Sequence, residues 1–335
     1  MTGSTAPRVV TIGGGHGQAN VLAALKRLRC EVTAVVSVAD DGGCSGKLRQ
    51  ELGMPPPGDL RRCLSVLATD AELARRFELR LFEPGLEGRS AGNLALSAAF
   101  LELGSLQKAV DWAAELLRCE GRVVPVAETP GVLVAYDLLD GRIEGETHIA
   151  KTSTAPIAAM VHGPNQTNPV ALEAIAAADW ILLGPGSFFT STIATITTGT
   201  VADALVAASA RKLLITNLTD EGFQTQGLGD RDYVRILRDH LSIASLGGVV
   251  DLAVLRHVSH SNEQSFLADG TSAYGSPVAL EGASSHDPEL LSDALRLWLG
   301  WVPRDDAPVS LRSQETRNAL FDRFLRAASV RPPRN

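Results

Sequence analysis

Arg8-Val-Val-Thr-Ile12, followed at once by Gly13-Gly14-Gly15-His16-Gly17, decides the fold. The first five residues are a short apolar run; the next five are four glycines around one histidine. Val21, Leu22, Leu25 and Leu28 then recur at helical spacing, and residues 32–38 form a second β-branched apolar run. Strand, glycine turn, helix and strand make one βαβ unit, which implies a parallel sheet. Comparable runs return at residues 180–183, 213–216 and 249–255, each beside a helical pattern, clearest at 170–178 and 201–210. The expected class is α/β, a Rossmann-like parallel sheet with helices on both faces.

Between the two halves the pattern changes. Residues 123–126, 132–137 and 143–148 are short strand candidates separated by turns, with Asp140-Gly141 as a hairpin signal. The expected organisation is an N-terminal half with the glycine-rich loops (1–121), a small β-rich insertion (122–164), the second half of the same domain (165–299) and a C-terminal extension (300–335). In the extension, residues 312–328 carry an amphipathic helical pattern and 331–335 a frayed end. No repeat of 20–50 residues is visible, which removes solenoids and propellers.

Across 335 residues, 31 Lys plus Arg face 38 Asp plus Glu, for a formal charge of −7. That balance argues against a general nucleic-acid coat, which needs cations to neutralise phosphates. Apolar residues make up 45% and charged ones 21%, the proportions of a globular chain with a sizeable core. No apolar stretch reaches the roughly 18 residues of a membrane span. Residues 1–7 lack the basic start and apolar stretch of a signal peptide, so a cytoplasmic location is expected. Cys30, Cys44, Cys63 and Cys119 show no CxxC pairing, which points to reduced thiols rather than zinc or disulfides.

The first glycine cluster is not a dinucleotide fingerprint, because Gln18 stands where the third glycine belongs. It is not a Walker A loop either, since no Gly-Lys-Ser/Thr follows. Its physics still suits an anion: glycines admit a phosphate close to the backbone, and the following helix aims free N–H groups and its positive end at it. A tight strand–helix turn is the plainer reading. Asp40-Asp41-Gly42-Gly43-Cys44-Ser45-Gly46 follows the second strand, where an acid can accept from a ribose hydroxyl or a pair of acids can hold Mg²⁺ against a diphosphate.

Pro55-Pro-Pro-Gly58-Asp59-Leu60-Arg61-Arg62 leads into a helix, with Asp59 placed as its N-cap. Two arginines on a first turn oppose the helix dipole, so one of them is expected to face an anion. Asn93 opens another helix, as cap or as ligand contact. Gly184-Pro-Gly186-Ser187-Phe-Phe-Thr190-Ser191 is a second glycine turn at a strand end, and Asn217-Leu-Thr-Asp-Glu-Gly222 completes a polar rim. Two such loops on one sheet edge would face one crevice. His240, His257 and His260 lack metal-ligand spacing, Ser187 is not in a Gly-x-Ser-x-Gly elbow, and Cys44 reads as a small loop side chain.

Gly13–Gly17, Val36-Ser-Val-Ala-Asp-Asp-Gly-Gly-Cys-Ser-Gly46, Pro56-Pro-Gly-Asp-Leu-Arg61, Gly92-Asn-Leu94 and Gly184–Ser191 occur in the order seen in the gluconeogenesis factor family. The chain resembles that family, the YvcK-type branch of the CofD-like superfamily, from about Val9 to Leu299. His16 stands where many relatives have Thr, Cys44 replaces the usual Ser, and residues 257–262 lack the family's pattern. Ser285-His286-Asp287-Pro288 matches part of its distal motif.

The resemblance implies a cytoplasmic protein with no required cofactor that binds a nucleotide sugar, UDP-glucose or UDP-N-acetylglucosamine. It also implies a regulatory role in cell shape and envelope synthesis during growth on gluconeogenic carbon. The partners it implies are the small molecule, envelope-synthesis or regulatory proteins, and a second copy of the chain. Gly13, Gly14, Gly15, His16, Gly17, Asp40, Asp41, Gly42, Gly43, Ser45, Gly58, Asp59, Arg61, Arg62, Asn93, Gly184, Gly186, Ser187, Thr190 and Asn217 are the candidate ligand contacts. The alternative is the superfamily's transferase branch, which joins a phospholactyl group to a deazaflavin with Mg²⁺ and releases a nucleotide; Asp40 and Asp41 would then hold the metal. A nicotinamide oxidoreductase is disfavoured by the broken fingerprint.

Overall fold

A computed structural model of the protein describes residues 6–301, except residues 83, 87, 138–140, 152–157, 163–165, 246–249 and the side chain of Phe223. The Asp140 turn and the helical pattern at 312–328 lie outside the described residues. Strand β1 (Arg8–Gly13) is buried from Val9 onward. Strands buried on both faces belong in the middle of a parallel sheet. There β2 (Glu31–Val36) pairs with it in parallel, Ile12 opposite Val35, across the helix α1 (Gly15–Leu25).

After β2 the chain forms α2 (Gly43–Leu52), α3 (Gly58–Leu67) and α4 (Ala71–Glu78). A short antiparallel pair, β3 (Arg80–Leu81) and β4 (Arg89–Ser90), precedes α5 (Ala91–Leu103) and α6 (Leu106–Leu116). Then β5 (Arg122–Pro125) joins the free side of β2. This corrects the reading of 123–126 as part of the insertion: Val123 and Val124 are buried beside Ala34 and Val35, in the main sheet.

The insertion proper is a separate antiparallel sheet of β6 (Val132–Tyr136), β7 (Arg142–Glu144) and β8 (Ala158–His162), in the order β7-β6-β8. The expected strand at 143–148 stops at Glu144. Gly145, at φ +90, turns the chain into the single-turn helix α7 (Glu146–Ile149). Two backbone donors pin β8 to the body: Ala159 N–H to His240 Nε2 (3.0 Å) and Val161 N–H to Thr197 Oγ1 (3.2 Å).

Helix α8 (Pro169–Ala177) leads to β9 (Trp180–Leu183), which pairs with the other side of β1, Ile12 opposite Leu183. A π-helical turn (Phe188–Ile193) runs into α9 (Ala194–Ile196), and α10 (Val201–Ala207) follows before β10 (Arg211–Ile215). A 3₁₀ turn (Gly222–Gln224) and α11 (Asp230–Ala244) precede β11 (Ala253–His257). The hairpin of β12 (Glu263–Phe266) and β13 (Ser272–Ser276) and the helix α12 (Pro288–Leu299) complete the described chain.

The main sheet runs β12-β13-β11-β10-β9-β1-β2-β5 and is parallel except at β12. Helices cover it in two groups: α1 packs on α3 and α12, and α10 on α8 and α11. From β1 the chain steps outward through β2 to β5; from β9 it steps the other way through β10 to β11. The direction reverses between β1 and β9, so the loops leaving those two strands part and leave a crevice at the carboxyl edge.

Candidate functional site

That crevice opens into a cleft of about 700 Å³. Gly15, His16 and Gly17 line it from the first glycine loop, and Gly186, Ser187 and Thr190 from the second. Gly13, Gly14 and Gly184 belong to the same loops but stand outside the lining. Gly15 adopts φ +67 with open space where a Cβ would be. A Cβ on Gly17 would come within 2.3 Å of the Pro185 carbonyl oxygen, so this glycine lets the two loops touch. Gln18 explains the broken fingerprint. It is fully buried, and its Nε2 donates to the Thr11 and Val35 carbonyls (3.2 and 3.1 Å), so the amide joins α1 to β1 and β2.

Three helices start at the cleft. Gly15–Gly17 open α1; Gly43, Cys44 and Ser45 open α2, just after Gly42; Gly58 and Asp59 open α3. Their N-cap residues, Gly14, Gly42 and Pro57, supply no side-chain cap. By contrast Asp70, Ser105, Asn168 and Asp287 cap α4, α6, α8 and α12 with their own side chains. First-turn N–H groups thus converge on the cleft with their positive dipole ends, an arrangement suited to an anion.

Asp59 is not a cap, contrary to expectation. Its carboxylate accepts from the Gly15 N–H and from Arg62 Nη1 (2.9 Å), and burial pushes its pKa up while Arg62 pulls it down. Arg61 is only 3% exposed, and its guanidinium donates to Glu78 (3.0 Å), Ser90 Oγ (2.6 Å) and Asn93 Oδ1 (3.2 Å). Both arginines line the cleft, but the N–H donors of Arg61 are largely engaged by the wall itself. Burial first, and Arg62 second, lower the pKa of His16. Ser90 caps α5 by accepting from the Asn93 N–H, which releases the Asn93 side chain to meet Arg61 and, through Nδ2, Cys44 Sγ (3.4 Å).

The adjacent acids diverge. Asp40 lines the cleft and its Oδ1 accepts from the Gly42 N–H (2.8 Å). Asp41 lies outside the lining, and its Oδ1 accepts from the Thr147 N–H (2.8 Å) and hydroxyl (2.6 Å). The pair therefore ties the insertion to the glycine loop rather than presenting two carboxylates to one point. Asn217 supports the second glycine loop from behind, accepting from the Gly186 N–H (3.2 Å) and donating to its carbonyl (2.9 Å).

Cys44, Arg80, Glu146, Glu221 and Gln224, which are not among the candidate contacts above, also line the cleft. Glu146 accepts from Thr190 Oγ1 (3.2 Å), and burial first, with Asp40 beside it, pushes its pKa up to about 8. Glu221 accepts from the Phe188 N–H (3.1 Å) and from Asn217. Burial pushes its pKa up to about 7 against those hydrogen bonds. A polar rim was legible at 217–222, but no periodicity says which of its acids turns inward. Among the described residues, no three His, Cys, Asp or Glu are grouped to hold a metal ion. No helix among them is long and apolar enough to cross a membrane.

Residues 9–289 match the family described as 2-phospho-L-lactate transferase CofD. A relative from Deinococcus radiodurans is 37% identical over 319 residues, 90% of this chain and 68% of its own. A gluconeogenesis factor from Listeria innocua is 35% identical over 245 residues, 72% of this chain and 76% of its own. A gluconeogenesis factor from Halalkalibacterium halodurans is 35% identical over 248 residues, covering 72% and 75%. The crystal structure of a UPF0052-family protein from Bacillus halodurans superposes with a TM-score of 0.79 at 29% identity, over 88% of this chain and 99% of that one. The chain therefore belongs to the gluconeogenesis factor family, a branch of the CofD family.

Proposed function

We propose that the cleft binds a nucleotide sugar of the UDP-glucose or UDP-N-acetylglucosamine kind. On this reading the protein is a cytoplasmic regulator that couples envelope-precursor supply to cell shape on gluconeogenic carbon. The observation that supports it is the convergence on one cleft, at the sheet's reversal point, of the starts of α1, α2 and α3, none of them capped by its own N-cap side chain. A diphosphate answers three such N-termini, each worth roughly 0.3–1 kcal/mol and more where partly buried. At about 700 Å³ the cleft is of ligand size. Calorimetric titration with UDP-N-acetylglucosamine, with Mg²⁺ and with EDTA, tests the reading. Binding that tolerates EDTA and releases no nucleotide is expected; absence of binding would refute it.

The family match supports a second reading, a Mg²⁺-dependent transferase. Asp40 and Glu146 share a hydrogen bond that requires a proton on the pair, and a divalent cation can replace that proton. Asp40 and Glu146, rather than Asp40 and Asp41, would then hold the ion and neutralise diphosphate charge. Binding that collapses in EDTA, with Mg²⁺-dependent release of a nucleotide, favours this reading over the first.

A further inference from the structure

The two ends of the cleft differ in hydrogen-bonding character. Backbone N–H donors gather where α1, α2 and α3 begin, whereas acceptors gather where β10 ends. Gln224 lines the cleft there, is 4% exposed, and its Oε1 has no hydrogen-bond partner among the described residues. Glu221 lines both the cleft and a side pocket of about 170 Å³ that continues past Gly17 and Gly186. His286 lines that pocket, is 5% exposed, and its Nε2 also lacks a partner among the described residues. The His286 ring donates to the Thr216 carbonyl, and burial, with His257 beside it, pushes its pKa down to about 4. Its Nε2 therefore offers a lone pair. Buried acceptors without donors are rare, because each forfeits its bond to water.

We propose that Gln224 and His286 form a subsite that accepts hydrogen bonds from the hydroxyl groups of a sugar ring. The subsite rests on the nucleotide-sugar reading and adds a direction: diphosphate on the glycine loops, sugar toward β10. A hexose presents several O–H donors to such acceptors. A uracil edge presents one N–H between two carbonyls, so two of its three groups would face acceptors with no proton between them. The sugar satisfies the subsite and the base does not.

Calorimetry with UDP and with UDP-N-acetylglucosamine, on wild type, Gln224→Met and His286→Leu, tests the assignment. The wild type is expected to bind the sugar nucleotide at least about tenfold more tightly than UDP. Either variant should shrink that ratio about tenfold, the effect of one lost buried hydrogen bond, with UDP affinity held within about twofold. UDP binding itself reports folding, and should Gln224→Met fail to fold, His286→Leu carries the same test from a different element. A ratio unchanged in the folded variants overturns the subsite, as does a loss of UDP affinity in step with the sugar nucleotide. Equal wild-type affinity for both ligands overturns it too, while leaving the cleft a nucleotide site. If neither ligand binds the wild type, the nucleotide-sugar reading itself fails.

Discussion

Arg61 and Arg62 are neighbours in sequence, yet a step of about 100° around α3 gives them different surroundings. Arg61 is buried against Ser90 and Asn93 and reaches Glu78, so its guanidinium knits α3 to α4 and α5. Arg62 touches Asp59 at the cleft, where its charge offsets that carboxylate among the helix N-termini. Arg61→Ala should leave buried acceptors unpaired and lower stability by about 2–4 kcal/mol in urea unfolding. Arg62→Ala should change stability by less than about 1 kcal/mol but weaken UDP-N-acetylglucosamine about tenfold, since Asp59 would face the phosphates uncompensated. The pattern of two first-turn cations singled out the pair. It could not rank them, because the Arg61 partners Ser90 and Asn93 lie 29 and 32 residues away.

At the scale of elements, the central strands were readable because each is an unbroken apolar run: Val9-Val10, Ile181-Leu182-Leu183 and Leu213-Leu214-Ile215 are all buried. The β12–β13 hairpin escaped notice because exposed Glu263 and Gln264 carry no apolar alternation. The glycine loops were readable for a chemical reason, their clustering at strand ends. Glu146 was not, because a contact far apart in sequence, Asp41 to Thr147, delivers α7 to the cleft. That contact is testable. Asp41→Ala removes the acceptor for both Thr147 donors and should let α7 fray, displacing Glu146 from Thr190. Hydrogen exchange at residues 146–150 is expected to quicken at least about tenfold while α1 amides stay protected, with a loss of about 1–3 kcal/mol overall. Unchanged exchange would show that the Asp41 contact does not hold α7 in place.

For the whole molecule, burial around the cleft keeps several groups neutral in the unliganded protein, and these shape its response to pH. Glu146, near 8, and Glu221, near 7, are raised from an ordinary 4.5. A carboxyl raised in the fold keeps a proton that the unfolded chain has lost, so stability falls as pH climbs between the two values. His16, His240 and His286 act oppositely: all three are lowered from 6.5, the unfolded chain binds more protons below that value, and stability rises with pH up to it. Between about 4.5 and 6.5 the two classes oppose each other. Above 6.5 the unfolded histidines lose their remaining protons within about one pH unit, and the carboxyls come to dominate. The Tm of the unliganded protein should therefore decline from pH 6.5 to 8, and Glu146→Gln and Glu221→Gln should each flatten the decline. A Tm that rises over that interval would contradict the burial of these acids. The same protons bear on the ligand, because a diphosphate favours the uncharged form of a carboxyl beside it. Affinity for UDP-N-acetylglucosamine should accordingly weaken from pH 6.5 to 8 in the wild type and less so in Glu146→Gln. Parallel pH curves for the two proteins would place Glu146 out of reach of the phosphates.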